Sequence, residues 1–187
     1  MIRSPQAAPG PMSRRFDVAS VRDAGTAVRV ESTAAERAAL AADCGLPGID
    51  ALDADLRVVR EGADGLRVTG AVTARVHQVC VVSLDEFATD LVEPVDVRFA
   101  PEAEVATLEA AHAARPPGGE DEDTEDLPDP IVNGRIDLGA LVAEILVLGL
   151  NPYPRKPGVA FAEPAPPERE EPTASPFAVL RGFKGEA

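Results

Sequence analysis

Residues 129–158 read DPIVNGRIDLGALVAEILVLGLNPYPRKPG. Asn133-Gly134 between apolar residues is the sequence of a tight hairpin turn, because both central positions of such a turn need positive φ. Asp137 follows as a helix N-cap, able to accept from free first-turn amides. Leu138, Leu141, Val142, Ile145 and Leu146 then repeat at i, i+3, i+4, i+7 and i+8, the stripe of an amphipathic helix. Asn151-Pro152-Tyr153-Pro154 ends it. Between Leu138 and Leu150 the only charge is Glu144. A helix this apolar must lie against its own core or against a partner.

Upstream, Leu66, Val68, Val72, Ala74 and Val76 alternate with Arg67, Thr69, Thr73, Arg75 and His77. That is a strand with one buried and one wet face, the mark of an antiparallel sheet. Gly70 interrupts the buried set and marks a bulge. Strands are also expected at 52–60 and through Leu91, Val95, Val97 and Phe99, where Pro94 indicates an edge position. Phe16 and Val18 are expected to form a hairpin with Val28 and Val30 around a turn at 23–25. Thr33-Ala-Ala-Glu36 is a capping box that opens a helix to about Ala42, with Gly45 placed for a left-handed C-cap. The fold class is α+β: an antiparallel sheet, open or curled into a barrel-like form, packed by two or three helices.

The chain has 187 residues and a formal charge of −14, with no Trp, one Tyr and six Phe. Its core must therefore be built from Val, Leu and Ile. Ten acidic residues between Glu102 and Asp129 face Arg115 alone, so −9 of the charge lies there and −5 in the rest. The organisation expected is a disordered tail at 1–13, one domain at 14–158 with a disordered acidic loop at about 102–130, of which Ala103–Ala114 is either loop or a weak helix, and a Pro/Glu-rich tail at 159–187. That tail ends in an amphipathic segment, 176–183, with Phe177, Leu180 and Phe183 on one helical face. The first residues lack an apolar h-region and no apolar run reaches bilayer length, so a cytoplasmic protein with no membrane contact is expected.

No catalytic constellation is present, and neither a cofactor nor a metal ion is expected. His77 reads as a solvent-facing strand residue, and His112 lies in the acidic loop. His77 and Cys80 are three apart in extended chain and so point to opposite faces. Cys44 and Cys80 read as small buried hydrophobes. An acidic dyad of Asp137 and Glu144 would be two helical turns apart, about 10 Å, too far to work together. Glu144 either reaches water from the less apolar side of its helix or pairs with an Arg or Lys. Arg155 and Lys156 are either solubilising charges or a small hook for phosphate or carboxylate. Phe177, Leu180 and Phe183 either fold back on the domain or wait for a groove. With no basic face, DNA binding is not expected and tight RNA binding is disfavoured; Arg67, Arg75 and His77 are a thin case for it. A basic protein partner suits the charge better.

Three segments resemble the YceD family, the large ribosomal RNA subunit accumulation proteins. They are Val68–Phe99 with Gly70-Ala-Val-Thr-Ala-Arg-Val-His-Gln-Val-Cys80, then Ile136–Leu148 with Pro152-Tyr153-Pro154, and Ser175-Pro-Phe-Ala-Val-Leu180. The likeness runs over roughly residues 14–184, and Arg155-Lys156-Pro157-Gly158 resembles alphaproteobacterial members. Many relatives carry Cys-x-x-Cys where this chain has Cys80-Val-Val-Ser83, and some carry a further pair after the long helix. Here Ser83 replaces one cysteine and residues 151–165 have none, which removes any metal site those pairs suggest. The resemblance implies a non-enzymatic role in ribosome biogenesis that supports 23S ribosomal RNA accumulation. A basic ribosomal or ribosome-assembly protein is the expected partner, with Glu144, Arg155, Lys156, Phe177, Leu180 and Phe183 as candidate contacts. The alternatives are an acidic module or chaperone for some other basic protein and, behind it, direct RNA binding.

Overall fold

A computed structural model describes residues 10–114 and 126–161. The expected tails at 1–9 and 162–187, the segment at 176–183, and loop residues 115–125 lie outside them.

The elements, in chain order, are β1 (Arg15–Asp17), a 3-10 turn (Val18–Ser20), β2 (Thr26–Glu31), α1 (Ala34–Asp43), β3 (Gly48–Glu61), β4 (Gly65–Val79), β5 (Glu86–Pro101), α2 (Glu102–Ala113), β6 (Asp129–Ile131), β7 (Arg135–Asp137) and α3 (Leu138–Gly149). Five strands form one sheet in the order β2-β3-β4-β5-β6, and β1 pairs separately with β7. All the pairings are antiparallel except β5 with β6.

The alternation in β4 carries through to burial. Leu66, Val68, Val72, Ala74 and Val76 are buried beside Leu52, Ala54, Leu56 and Val58 of β3 and Val95 and Phe99 of β5. Helices cover this apolar face: α1 adds Leu40 and Ala41, and α3 adds Leu138, Leu141, Val142 and Leu146 to the same cluster. Each large aliphatic side chain so buried contributes about 1.5–3 kcal/mol relative to exposure. As the composition requires, the core is aliphatic, with Phe99 its one buried aromatic among the described residues. Because α1 and α3 occupy the apolar side, the described sheet stays open and is not closed into a barrel.

Local chemistry sets the ends of the helices. Thr33 accepts from the Glu36 amide while the Glu36 carboxylate accepts from the Thr33 amide. At the other end Gly45 has φ +64°, and Leu46 N donates to Ala41 O and Gly45 N to Ala42 O. These two bonds are a Schellman motif. Cys44, the C-cap, is half-buried rather than fully enclosed. Asn133 and Gly134 have φ of +51° and +70° and carry the tight turn into β7. Asp137 caps α3 by accepting from Gly139 N and Ala140 N at 3.0 and 3.1 Å. It also accepts from Ser13 Oγ and from Arg14 N, the latter at 2.7 Å.

Several expectations are corrected. Phe16 does not join a hairpin with Val28 and Val30; it pairs with Ile136, and β2 pairs with β3. The N-terminal tail does not extend to 13, because Met12 is fully buried in the core. Residues 102–130 are not one loop, since α2 and β6 take up both ends of that span. Gly70 marks no bulge. Its register with Leu56 and Val95 is continuous, and the bulge lies at Asp50. Gly70 instead has φ +151°, and a Cβ there would sit 2.1 Å from Asp55 O, so close backbone approach demands glycine. Pro94 does lie where β5 has only β4 beside it, because β6 reaches only Phe99–Pro101.

Asp137→Ala removes an N-cap and charge-assisted bonds to the N-terminal segment together. The expected loss is about 2–4 kcal/mol of unfolding free energy, read as a lower midpoint in urea at neutral pH. A midpoint equal to the wild type would show that the cap does not hold these parts together.

Candidate functional site

The exit of α3 lies against the turn between β4 and β5, and this junction carries most of the described candidate residues. Across the turn, Cys80 N donates to Asp85 O and Leu84 N to Cys80 O, both at 2.9 Å. The strap after α3 is shaped by Asn151, whose side-chain oxygen accepts from Tyr153 N at 2.9 Å. Pro154 O accepts from Val81 N at 2.9 Å. Gln78, the one buried polar residue described, donates its amide to Asn151 O at 3.3 Å. The Lys156 ammonium meets Asp85 at 3.2 Å. Lys156 is thus already paired, whereas Arg155 is exposed and has no ion pair among the described residues. The prolines keep the strap extended, so its carbonyls are presented to the turn.

Cys80 is shut off from solvent. The Ser83 hydroxyl, then the Ser83 and Lys156 amides, hold its thiol well below the ordinary range, at about 6, although removal from water opposes this. One thiol, a serine hydroxyl and an ion-paired lysine do not fit a metal ion. Among the described residues no group of three or more His, Cys, Asp or Glu is disposed to hold one. Hydrogen bonds and the Lys156–Asp85 pair tie the turn to the strap.

This end of the molecule also exposes apolar side chains. Leu84 is 77% exposed and Tyr153 73% exposed. Leu84 has φ +62°, a left-handed conformation that costs a non-glycine residue about 1–2 kcal/mol. A leucine held in an unfavourable backbone conformation and pointed at water is a feature that packing within the fold does not explain.

On the wet face of the sheet several cations meet carboxylates, although among the described residues exposed Arg57 reaches only the Ala24 carbonyl. Arg67 binds Asp96 through two bonds of 2.7 Å. Arg75 reaches Asp90 at 2.9 Å and Asp50 at 3.7 Å. Arg29 pairs with Glu31 at 2.9 Å and Asp55 at 3.5 Å. His77 lies between Asp50 on β3 and Glu86 on β5, at 3.0 and 2.7 Å. The bulge at Asp50 gives β3 an extra residue, and its carboxylate faces both His77 and Arg75.

Glu144 is exposed and unpaired among the described residues. Its charge, after burial, helps push the Asp129 carboxyl up. Asp137 and Glu144 are not a catalytic pair, because Asp137 is consumed as a cap. Phe177, Leu180 and Phe183 lie outside the described residues. Sequence reasoning missed Leu84, Tyr153, Asp50 and Asp85. An apolar residue beside Asp-Glu in a turn was the available signal for Leu84.

The family model of the large ribosomal RNA subunit accumulation protein YceD matches residues 68–184. The chain belongs to that family. Its shared region takes in β4, the Cys80 turn, α3 and the strap, so the junction lies within what YceD proteins have in common. The family description places its members in large ribosomal RNA subunit accumulation, a role in ribosome biogenesis rather than that of a known enzyme family. None of the curated proteins and none of the solved structures matches the chain. Among the described residues no helix is long and apolar enough to cross a membrane.

Hydrogen bonds that the ring donates first to Asp50 and then to Glu86 raise the His77 pKa above its ordinary 6.5. A raised folded-state pKa adds stability that is complete below the unfolded value and lost as pH rises through the folded one. An NMR titration of the His77 ring should therefore give a midpoint above 6.5, lowered in Asp50→Asn. Partial removal of the ring from water opposes the rise, and Arg75 shares the Asp50 carboxylate. An unchanged midpoint in Asp50→Asn would refute the pairing.

Proposed function

We propose that this chain acts in the cytoplasm as a non-enzymatic factor of large-subunit assembly, working through contacts with a basic ribosomal or ribosome-assembly protein. The observation that carries this reading is the matching of cations on the wet sheet face. Arg67, Arg75 and His77, the basic residues best placed for RNA, are each held by carboxylates. A phosphate would have to displace Asp96, Asp90, Asp50 or Glu86 and then lie among them. Phosphate binding draws its affinity from cations free to release counterions, and of the arginines on this face Arg29, Arg67 and Arg75 already meet carboxylates, while Arg57 is engaged, among the described residues, by the Ala24 carbonyl alone. The negative charge suits a basic protein instead, steering it at long range with a strength that falls as salt rises.

The specific contacts fall at the margins of α3. Arg155 is available at the strap beside the exposed Leu84 and Tyr153, whereas Lys156 is held by Asp85. Glu144 is available on the other side of the helix. Phe177, Leu180 and Phe183 supply an amphipathic segment within the span matched by the family model.

Depletion of the protein should reduce 23S ribosomal RNA and the large-subunit peak on a sucrose gradient, with precursor particles accumulating. A normal peak with normal 23S levels would sink the reading. Deleting 113–126 should weaken capture of the partner at low salt and flatten its salt dependence, measured by equilibrium binding across a salt series. Capture that keeps both its strength and its salt slope would remove the acidic span from the mechanism.

A further inference from the structure

α2 contributes little to the fold: of its twelve residues only Val105 is buried. Another side of it lines a cleft of about 940 Å³, bounded by the β3–β4 turn at Glu61–Gly65 and by Asp126–Pro128. Phe99 and Ala100 are also among the lining residues, with Leu108 and Ala111 from α2 and Leu127 opposite. Leu108 and Leu127 remain 38% and 42% exposed. Four carboxylates, from Glu61, Asp64, Glu104 and Asp126, line the same cleft, against Arg98 and His112. The Arg98 guanidinium is already engaged, donating to Asp126 O at 2.9 Å. Among the described residues the cleft thus joins an apolar strip that nothing covers to an acidic rim. A twelve-residue helix gives it a wall about 18 Å long, enough for three turns of helix or five extended residues.

We propose that this cleft is the docking groove for a basic amphipathic segment of a protein partner. One or two aliphatic or aromatic side chains settle between Leu108 and Leu127, and flanking Arg or Lys side chains meet Glu61, Asp64, Glu104 and Asp126. This inference rests on the reading that the chain works by binding a basic protein, and it adds where that protein sits. Charge complementarity selects the occupant. The acidic rim repels phosphate, so RNA is disfavoured. The chain's own 176–184 segment brings only Arg181 and Lys184, and the run before it carries Glu163, Glu168, Glu170 and Glu171 toward a rim of the same sign. A second copy, at −14, would bring more negative charge still.

The test is a photo-crosslinking residue at Leu108 of the full chain, with a second chain carrying it at Leu84 on the strap side. The probe is the protein mixture salt-extracted from purified large subunits. The expected result is a crosslink from position 108 to an Arg/Lys-rich peptide of one protein, mapped by mass spectrometry. Its yield should fall about fivefold or more in Glu104→Lys/Asp126→Lys. Asp64→Lys, on the turn at the opposite wall, should act the same way and guards against a misfolded double variant. Crosslinks from 108 to residues 176–184, to a second copy or to residual RNA would overturn the proposal, as would a yield indifferent to charge reversal. Capture of a basic protein at 84 but not at 108 would remove the groove and leave the protein-binding reading standing. Capture at neither position would remove both.

Discussion

The carboxylate of Asp137 fixes the N-terminal end of α3 to the rest of the fold. It accepts from two first-turn amides of the helix and from Ser13 and Arg14 near the other end of the chain. Burial alone would raise its pKa, but bonds from Ser13, Arg14, Ala140 and Gly139 outweigh that and keep it ionised. The charge therefore meets the positive end of a helix dipole and a converging set of donors. From this point order spreads outward. Arg14 continues to Glu36, the capping residue of α1, at 2.6 Å. Those bonds, with the Thr33 cap, bring the Glu36 pKa down to about 2. One half-buried acid thus connects the N-terminal segment, both core helices and the β1–β7 ribbon.

The surface divides by electrostatics. On the wet sheet face Arg29, Arg67, Arg75 and His77 each meet a carboxylate, while Arg67 and Arg98 sit opposite one another across β4 and β5. Exposed pairs of this kind add only about 0–1 kcal/mol each, so their main effect is to occupy those cations. Around α2 and residues 126–129 carboxylates outnumber cations. At the strap apolar groups are exposed beside Arg155. That sheet face, with most of its cations occupied, separates two ends of unlike chemistry, each able to select a different kind of contact.

Features whose cause is local were legible in the sequence. The β4 alternation, the capping box with Gly45, Asn133-Gly134 and the α3 stripe each lie within a few residues of the groups that explain them. Features made by register were not. Asp96 and Arg67 are 29 positions apart, and only the pairing of β4 with β5 brings them together. The three-residue strands β1, β6 and β7 are too short for periodicity to reveal. The Ala/Glu composition of α2 gives a helix with one buried valine, which reads much like a solvated segment. The strap candidates Arg155 and Lys156 could be named from sequence, but not told apart, because the aspartate that takes Lys156 lies 71 residues away.

The bonds from Ser13 and Arg14 to Asp137 span 124 and 123 residues of chain. By contrast, β2 to β5 form a meander in which each strand pairs with the next. On a ribosome, where domains fold as they are made, the meander can assemble as successive hairpins emerge. The bonds of Ser13 and Arg14 to Asp137 must wait, although both residues precede the whole meander in the chain. Until the chain has been made through α3, the sheet's apolar face has only α1 as cover, and Ser13 and Arg14 lack their bonds to Asp137. Closure is thus timed to the emergence of Asp137, and a nascent chain halted before it would present the uncovered part of that face to whatever chaperone stands at the tunnel exit.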